Sequence, residues 1–139
     1  MVECVRTPNK RSMRMNVIFF LSISNEQGER LERVVELFFP RRRIEKCRDL
    51  EELGKKLHEP YNYKDVVLLS PASKEELSSL LALQDLLSDM RVILVLPDRD
   101  DETVAMGHRL RPRMVSYNDG DYLDVAAVLT RMNERRELQ

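Results

Sequence analysis

The strongest constraint on this chain is an alternation: five short apolar runs, each followed by a segment whose leucines and valines recur at helical spacing. The runs fall at residues 16–23, 41–47, 65–69, 91–96 and 113–117. Runs of that length bounded by turn residues read as strands, and the intervening i, i+3, i+4, i+7 patterns read as amphipathic helices. Leu31, Val34, Val35 and Phe38 form the first such stripe, ended by Pro40, and Val125, Val128, Leu129 and Met132 form the last. Residues 16–23, 65–69 and 91–96 are apolar on both faces, as strands covered by helices on either side must be. The run at 41–47 is more polar and belongs at a sheet edge.

Helix starts are marked by local chemistry. Asp49 and Glu52, and Ser73 and Glu76, have the three-residue spacing of a capping box, which satisfies the orphan amides of a first turn. Leu50, Leu53 and Leu57 face inward from the second helix, and a long leucine-rich third helix is predicted from Ser73 to about Ser88. A weaker fourth helix starts at Asp100 or Asp101 and reaches about Leu110. Asp121 caps the fifth.

A chain of 139 residues is the size of one domain. Residues 1–14, basic and interrupted by Pro8, read as a flexible arm, 15–133 as the domain, and 134–139 as a charged tail. Net charge is -1 although 34% of residues are charged, so no single sign dominates the surface. Nucleic acid is disfavoured, because its partners need a basic excess to neutralise phosphates. Arg41, Arg42 and Arg43 with Lys46 and Arg48 make one local basic stretch, read as a solvated edge of the kind that discourages sheet-to-sheet association. Cys4 and Cys47 form neither a C-x-x-C pair nor a disulfide framework, which predicts a reducing, cytoplasmic compartment. The longest apolar run falls well short of the roughly 20 residues of a membrane helix.

Five right-handed strand-helix units in one parallel sheet favour the flavodoxin-like order 2-1-3-4-5, a three-layer (βα)5 sandwich. Within it, Met15-Asn16-Val17-Ile18-Phe19-Phe20 resembles the opening strand of a response-regulator receiver of the CheY-like kind, and Asp65-Val66-Val67-Leu68-Leu69 resembles the strand leading to its phosphoacceptor. Arg99-Asp100-Asp101-Glu102 resembles the loop after its fourth strand. The resemblance covers residues 15 to 133 and implies a prokaryotic signalling domain. It also implies a site made of two acids holding Mg²⁺, a nucleophilic Asp, a hydroxyl and a lysine. Those positions fall on Leu21 and Ser22, on Ser70, near Leu96 or Pro97, and near Asn118, and none matches. Without the carboxylates a hard divalent cation has no ligands, and a serine without a base is a poor phosphoacceptor. The expectation is a non-enzymatic pseudo-receiver that acts through protein-protein interaction.

Ligands of open parallel sheets bind beyond the carboxyl ends of the strands. Here that crevice is expected to hold Ser22, Ser24, Asn25, Ser70, Ser73, Asp98, Asn118 and Asp119. The set is similar to the phosphate loop of flavodoxins, which leaves a nucleotide- or flavin-binding protein as the alternative. Opposing it, Glu26 and Glu29 put negative charge at the helix end an anion would need, and hydroxyl residues favour caps for their own reasons. No cofactor and no metal are expected, since His58 and His108 lack second ligands at suitable spacing. Ser70 and Ser116 lack a nucleophile-elbow context. Cys47, flanked by Lys46 and Arg48, is either a reactive thiol or an inert one. Receivers commonly pair through the fourth helix, fifth strand and fifth helix, which makes Met106, Tyr117, Tyr122 and Leu123 the interface candidates, for a homodimer or another protein.

Overall fold

The computed structural model describes residues 15–22, 25–59 and 65–138, with side chains through residue 133. The predicted arm at residues 1–14 lies outside them. Five strands, β1 (Val17–Leu21), β2 (Ile44–Cys47), β3 (Val66–Ser70), β4 (Arg91–Leu96) and β5 (Met114–Tyr117), form one sheet of order β2-β1-β3-β4-β5, every pair parallel. This is the predicted flavodoxin-like three-layer arrangement, with β2 and β5 at the edges.

Pleating divides the core between two layers because successive side chains in a strand point to opposite faces. Val17 and Phe19 join Val66, Leu68, Ile93 and Val95 under α1 (Glu26–Phe38) and α6 (Leu123–Leu138), meeting Leu31, Val35, Val125 and Leu129. Ile18 and Phe20 join Val67, Leu69, Val92 and Leu94 on the other face. There they meet α2 (Leu50–His58), α3 (Lys74–Leu80), α4 (Gln84–Leu87) and α5 (Asp101–His108). Gly107 lets α5 lie close to the sheet, since a Cβ there would stand 2.9 Å from Leu94 Cδ2 and 3.0 Å from Leu96 Cδ2.

Two of the three predicted caps are formed. Asp49 Oδ1 accepts from the Glu52 amide at 2.8 Å, while Glu52 reaches back to the Arg48 amide at 2.6 Å. Ser73 Oγ accepts from the Glu76 amide at 3.2 Å. Each cap contributes about 1 kcal/mol. Asp121 instead makes a short turn, accepting from the Leu123 amide at 3.1 Å, and Tyr122 enters α6 with a left-handed φ of 64°.

Four expectations need correction. The third helix does not run unbroken to Ser88: α3 ends at Leu80, a 3-10 turn spans Leu81–Leu83, and α4 resumes at Gln84. The backbone tightens at that point, where the Leu81 amide reaches the Ser78 carbonyl as well as the Leu77 carbonyl. Phe38 is not core. It is 48% exposed, and Phe39 at 2% takes the inward position. The cause is Pro40, which forces the residue before it into extended backbone. The strand at 41–47 is shorter than predicted, with Arg41–Arg43 in a 3-10 turn. Finally, residues 134–138 continue α6 rather than forming a separate tail.

Candidate functional site

At the carboxyl ends of β1 and β3 the register sets Leu21 directly beside Ser70. The positions aligned with a receiver's first acid and its nucleophile are therefore neighbours, and neither carries a carboxylate. Asn25 and Gly28 from the start of α1, Ser70, Pro71 and Ala72 from β3 and its loop, and Asn118 and Tyr122 from the β5–α6 loop line the crevice between them. Its room for solvent is about 40 Å³. Small-molecule sites occupy roughly 300–1,000 Å³, so the crevice, as the described residues line it, lies well below that range.

Several polar groups in and around it are engaged in local ties. Ser22 Oγ donates to Glu76 Oε1 at 2.7 Å, and the Ala72 amide donates to the same oxygen at 2.7 Å, which draws the β1 and β3 loops together. Asn25 Oδ1 caps α1 through the Gly28 amide at 2.7 Å. Asp98 Oδ1 accepts from the Asp100 amide at 3.0 Å in its own turn. The Asn118 amide donates to the Leu96 carbonyl at 3.1 Å. Ser24 lies outside the described residues. Of the eight candidates, Asn25, Ser70 and Asn118 line the crevice; Ser22, Ser73, Asp98 and Asp119 stand around it in loop-tying or capping roles.

Two arginines that the sequence did not single out fasten the remaining loop. Arg30 donates to the Gly120 carbonyl at 2.9 Å, with its guanidinium 5.9 Å from the centre of the Tyr122 ring. Arg99 holds Asp119 in a fork, Nε to Oδ2 at 3.1 Å and NH2 to Oδ1 at 3.0 Å, while stacking 3.9 Å from the Tyr117 ring centre. A planar guanidinium suits both contacts at once. Nothing in the sequence spacing could reveal either tie, since the partners lie 90 and 20 residues apart.

The Arg99 hydrogen bond holds the Asp119 carboxyl below the usual aspartate range. A depressed carboxyl contributes stability above its unfolded pKa and loses it as pH falls through the folded one. Expected on NMR titration is an Asp119 carboxyl that protonates at lower pH than an ordinary aspartate and moves up in Arg99→Ala. An Asp119 midpoint indifferent to that substitution would disprove the latch.

The other candidates resolve individually. Tyr122 is core, at 2% exposure, its hydroxyl donating to the Asn118 carbonyl at 3.2 Å, so it offers almost no surface in the single chain. The left-handed φ turns the ring in between α1 and α6 instead of outward. Met106 and Tyr117 are half-buried against the opposite layer, and Leu123 alone of the four is strongly exposed, at 63%. Cys47 is buried and its thiol is pushed up to about 11, by burial first and by the Glu52 carboxylate next, so the flanking cations do not activate it. In the basic stretch, Lys46 is engaged by Glu32 and, at 3.0 Å, by Glu36, which also meets Arg41 at 3.6 Å. His58 and His108 are exposed. Among the described residues no cluster of three or more His, Cys, Asp or Glu side chains could hold a metal, and no helix is long and apolar enough to cross a membrane.

The fold and loop geometry together define a flavodoxin-like α/β domain with a small crevice at the carboxyl ends of β1 and β3. No family model matches the chain, and no curated protein does. Among solved structures it is similar to a pilus assembly-related protein from Burkholderia pseudomallei, 16% identical, with a TM-score of 0.60, over 88% of this chain and 92% of that one. That likeness is one of fold.

Proposed function

We propose that this chain is a receiver-like signalling domain that has given up phosphotransfer and works without catalysis, by binding a protein. The carrying observation is the meeting of Leu21, Ser22 and Ser70 where a receiver keeps its acids and its nucleophile, with Ser22 drawn into a bond to Glu76. With no acid at either position, Mg²⁺ is left without the charged oxygen ligands it takes in such sites. No base stands among the residues lining the crevice to activate Ser70. The bonds among Ser22, Ala72 and Glu76 also hold in one arrangement the loops that would otherwise respond to a phosphoryl group. The domain then presents a constant surface, and its meaning comes from what that surface binds. The similar structure, described as a pilus assembly-related protein, offers assembly machinery as one class of partner to try first.

Incubation with Mg²⁺ and acetyl phosphate is expected to leave the intact mass unchanged, and beryllofluoride is expected to leave the amide resonances of Leu21, Ser22 and Ser70 in place. Stoichiometric, Mg²⁺-dependent modification would overturn the reading.

A further inference from the structure

The layer formed by α1 and α6 carries the largest exposed apolar side chains, Leu37 at 79%, Leu123 at 63% and Phe38 at 48%. Between the helices lies an open groove of about 390 Å³, lined on α6 by Leu123, Ala126, Ala127, Thr130 and Arg131 and on α1 by Phe38. Those α6 positions are one helical face, i, i+3, i+4, i+7 and i+8. Exposed apolar side chains beside small residues fit a protein partner.

Charge says which partner. Glu26 and Arg33 are exposed and seven residues apart on α1, and Arg131 is exposed on α6. Asp124 stands aside, its carboxylate accepting from Ser116 Oγ of β5 at 2.9 and 3.1 Å. Seven residues are close to two helical turns, so Glu26 and Arg33 lie along one side of α1, about 10 Å apart. Both helices begin at the carboxyl ends of parallel strands and run the same way, so Glu26 lies at one end of the face and Arg33 and Arg131 lie toward the other. The face is therefore a dipole. A second copy laid on it with helices parallel would set acid against acid. Turned by a two-fold axis perpendicular to the helices, it sets Glu26 against Arg33 twice over, and opposes the helix macrodipoles as well. Ala127, exposed near the middle of the α6 face, is small enough to let the two α6 helices approach.

We infer that the α1–α6 face pairs with a second copy of this chain in an antiparallel two-fold dimer. The surface lies on the α1 side of α6, away from the half-buried Met106 and Tyr117, and it does not depend on whether the phosphorylation site is silent.

Sedimentation of the full chain over a wide concentration range tests this. Wild type is expected to dimerise. Ala127→Glu, at an exposed helical position, is expected to weaken the dimer at least about tenfold, and so is Arg33→Glu, which makes both ends of α1 acidic. The double swap E26R/R33E keeps opposite charges facing across the two-fold and is expected to restore association. Circular dichroism melts of each variant separate loss of pairing from loss of fold. A wild type that stays monomeric throughout, or an Arg33→Glu that pairs as well as wild type, overturns the inference and leaves the phosphotransfer experiment unaffected.

Discussion

Phe20→Ala is expected to cost about 3–5 kcal/mol, the range for deleting a buried aromatic ring from a core that cannot collapse around the cavity. Phe20 has no exposed surface. It sits in β1, hydrogen-bonded on both sides by β2 and β3 in register with Cys47 and Leu69, and packs with Leu53, Leu57 and Leu77 in the layer of α2 to α5. The parallel ladder on either side fixes its backbone, so neighbouring strands have little freedom to close the void. Domains of this size are stable by only about 5–15 kcal/mol. The substitution therefore removes a large share of the total and should lower the melting temperature by more than about 10 °C. Thermal and urea denaturation followed by circular dichroism provide the measurement. A melting point within a couple of degrees of wild type would mean that the sheet is not packed on both faces.

Tyr122→Ala carries the second large effect, and its value lies in comparison with Tyr122→Phe. The ring is buried between α1 and α6. Its removal should cost about 3–5 kcal/mol. Removing only the hydroxyl gives up the bond to the Asn118 carbonyl. That loss should cost about 1 kcal/mol. Alanine gains nothing from the left-handed φ at this position, whereas Tyr122→Gly should recover part of the loss by relieving it. The expected order of stability is wild type, Phe, Gly, Ala. Were Tyr122 an interface residue, the same series would alter association and leave denaturation midpoints untouched.

That contrast marks where the sequence stopped being informative. The strands were legible because β1, β3 and β4 are buried on both faces and so read as unbroken apolar runs. The Asp49 and Ser73 caps were legible because a capping box lies within four residues. Of the candidate site, only the nearness of the β1 and β3 ends followed from the strand order, and the register sets Leu21 beside Ser70. The rest is tertiary. Tyr122 looks like any surface tyrosine beside an exposed leucine until the left-handed residue turns it inward. Phe38 and Phe39 are adjacent and identical, and only the backbone bend before Pro40 decides which is buried. Arg30 and Arg99 look like ordinary surface cations; their hold on the β5–α6 loop depends on contacts that only the folded chain creates.

The burial of Cys47 makes it a reporter on the folded state. With its thiol at about 11, the reactive thiolate at neutral pH is on the order of one molecule in ten thousand, and even that fraction is shielded by β2, α2 and the sheet. Alkylation at this position must therefore wait for the edge strand to open. In a Cys4→Ser background the labelling rate would act as a clock for the unfastening of β2, one of the two edge strands of the sheet, with no added dye or tag.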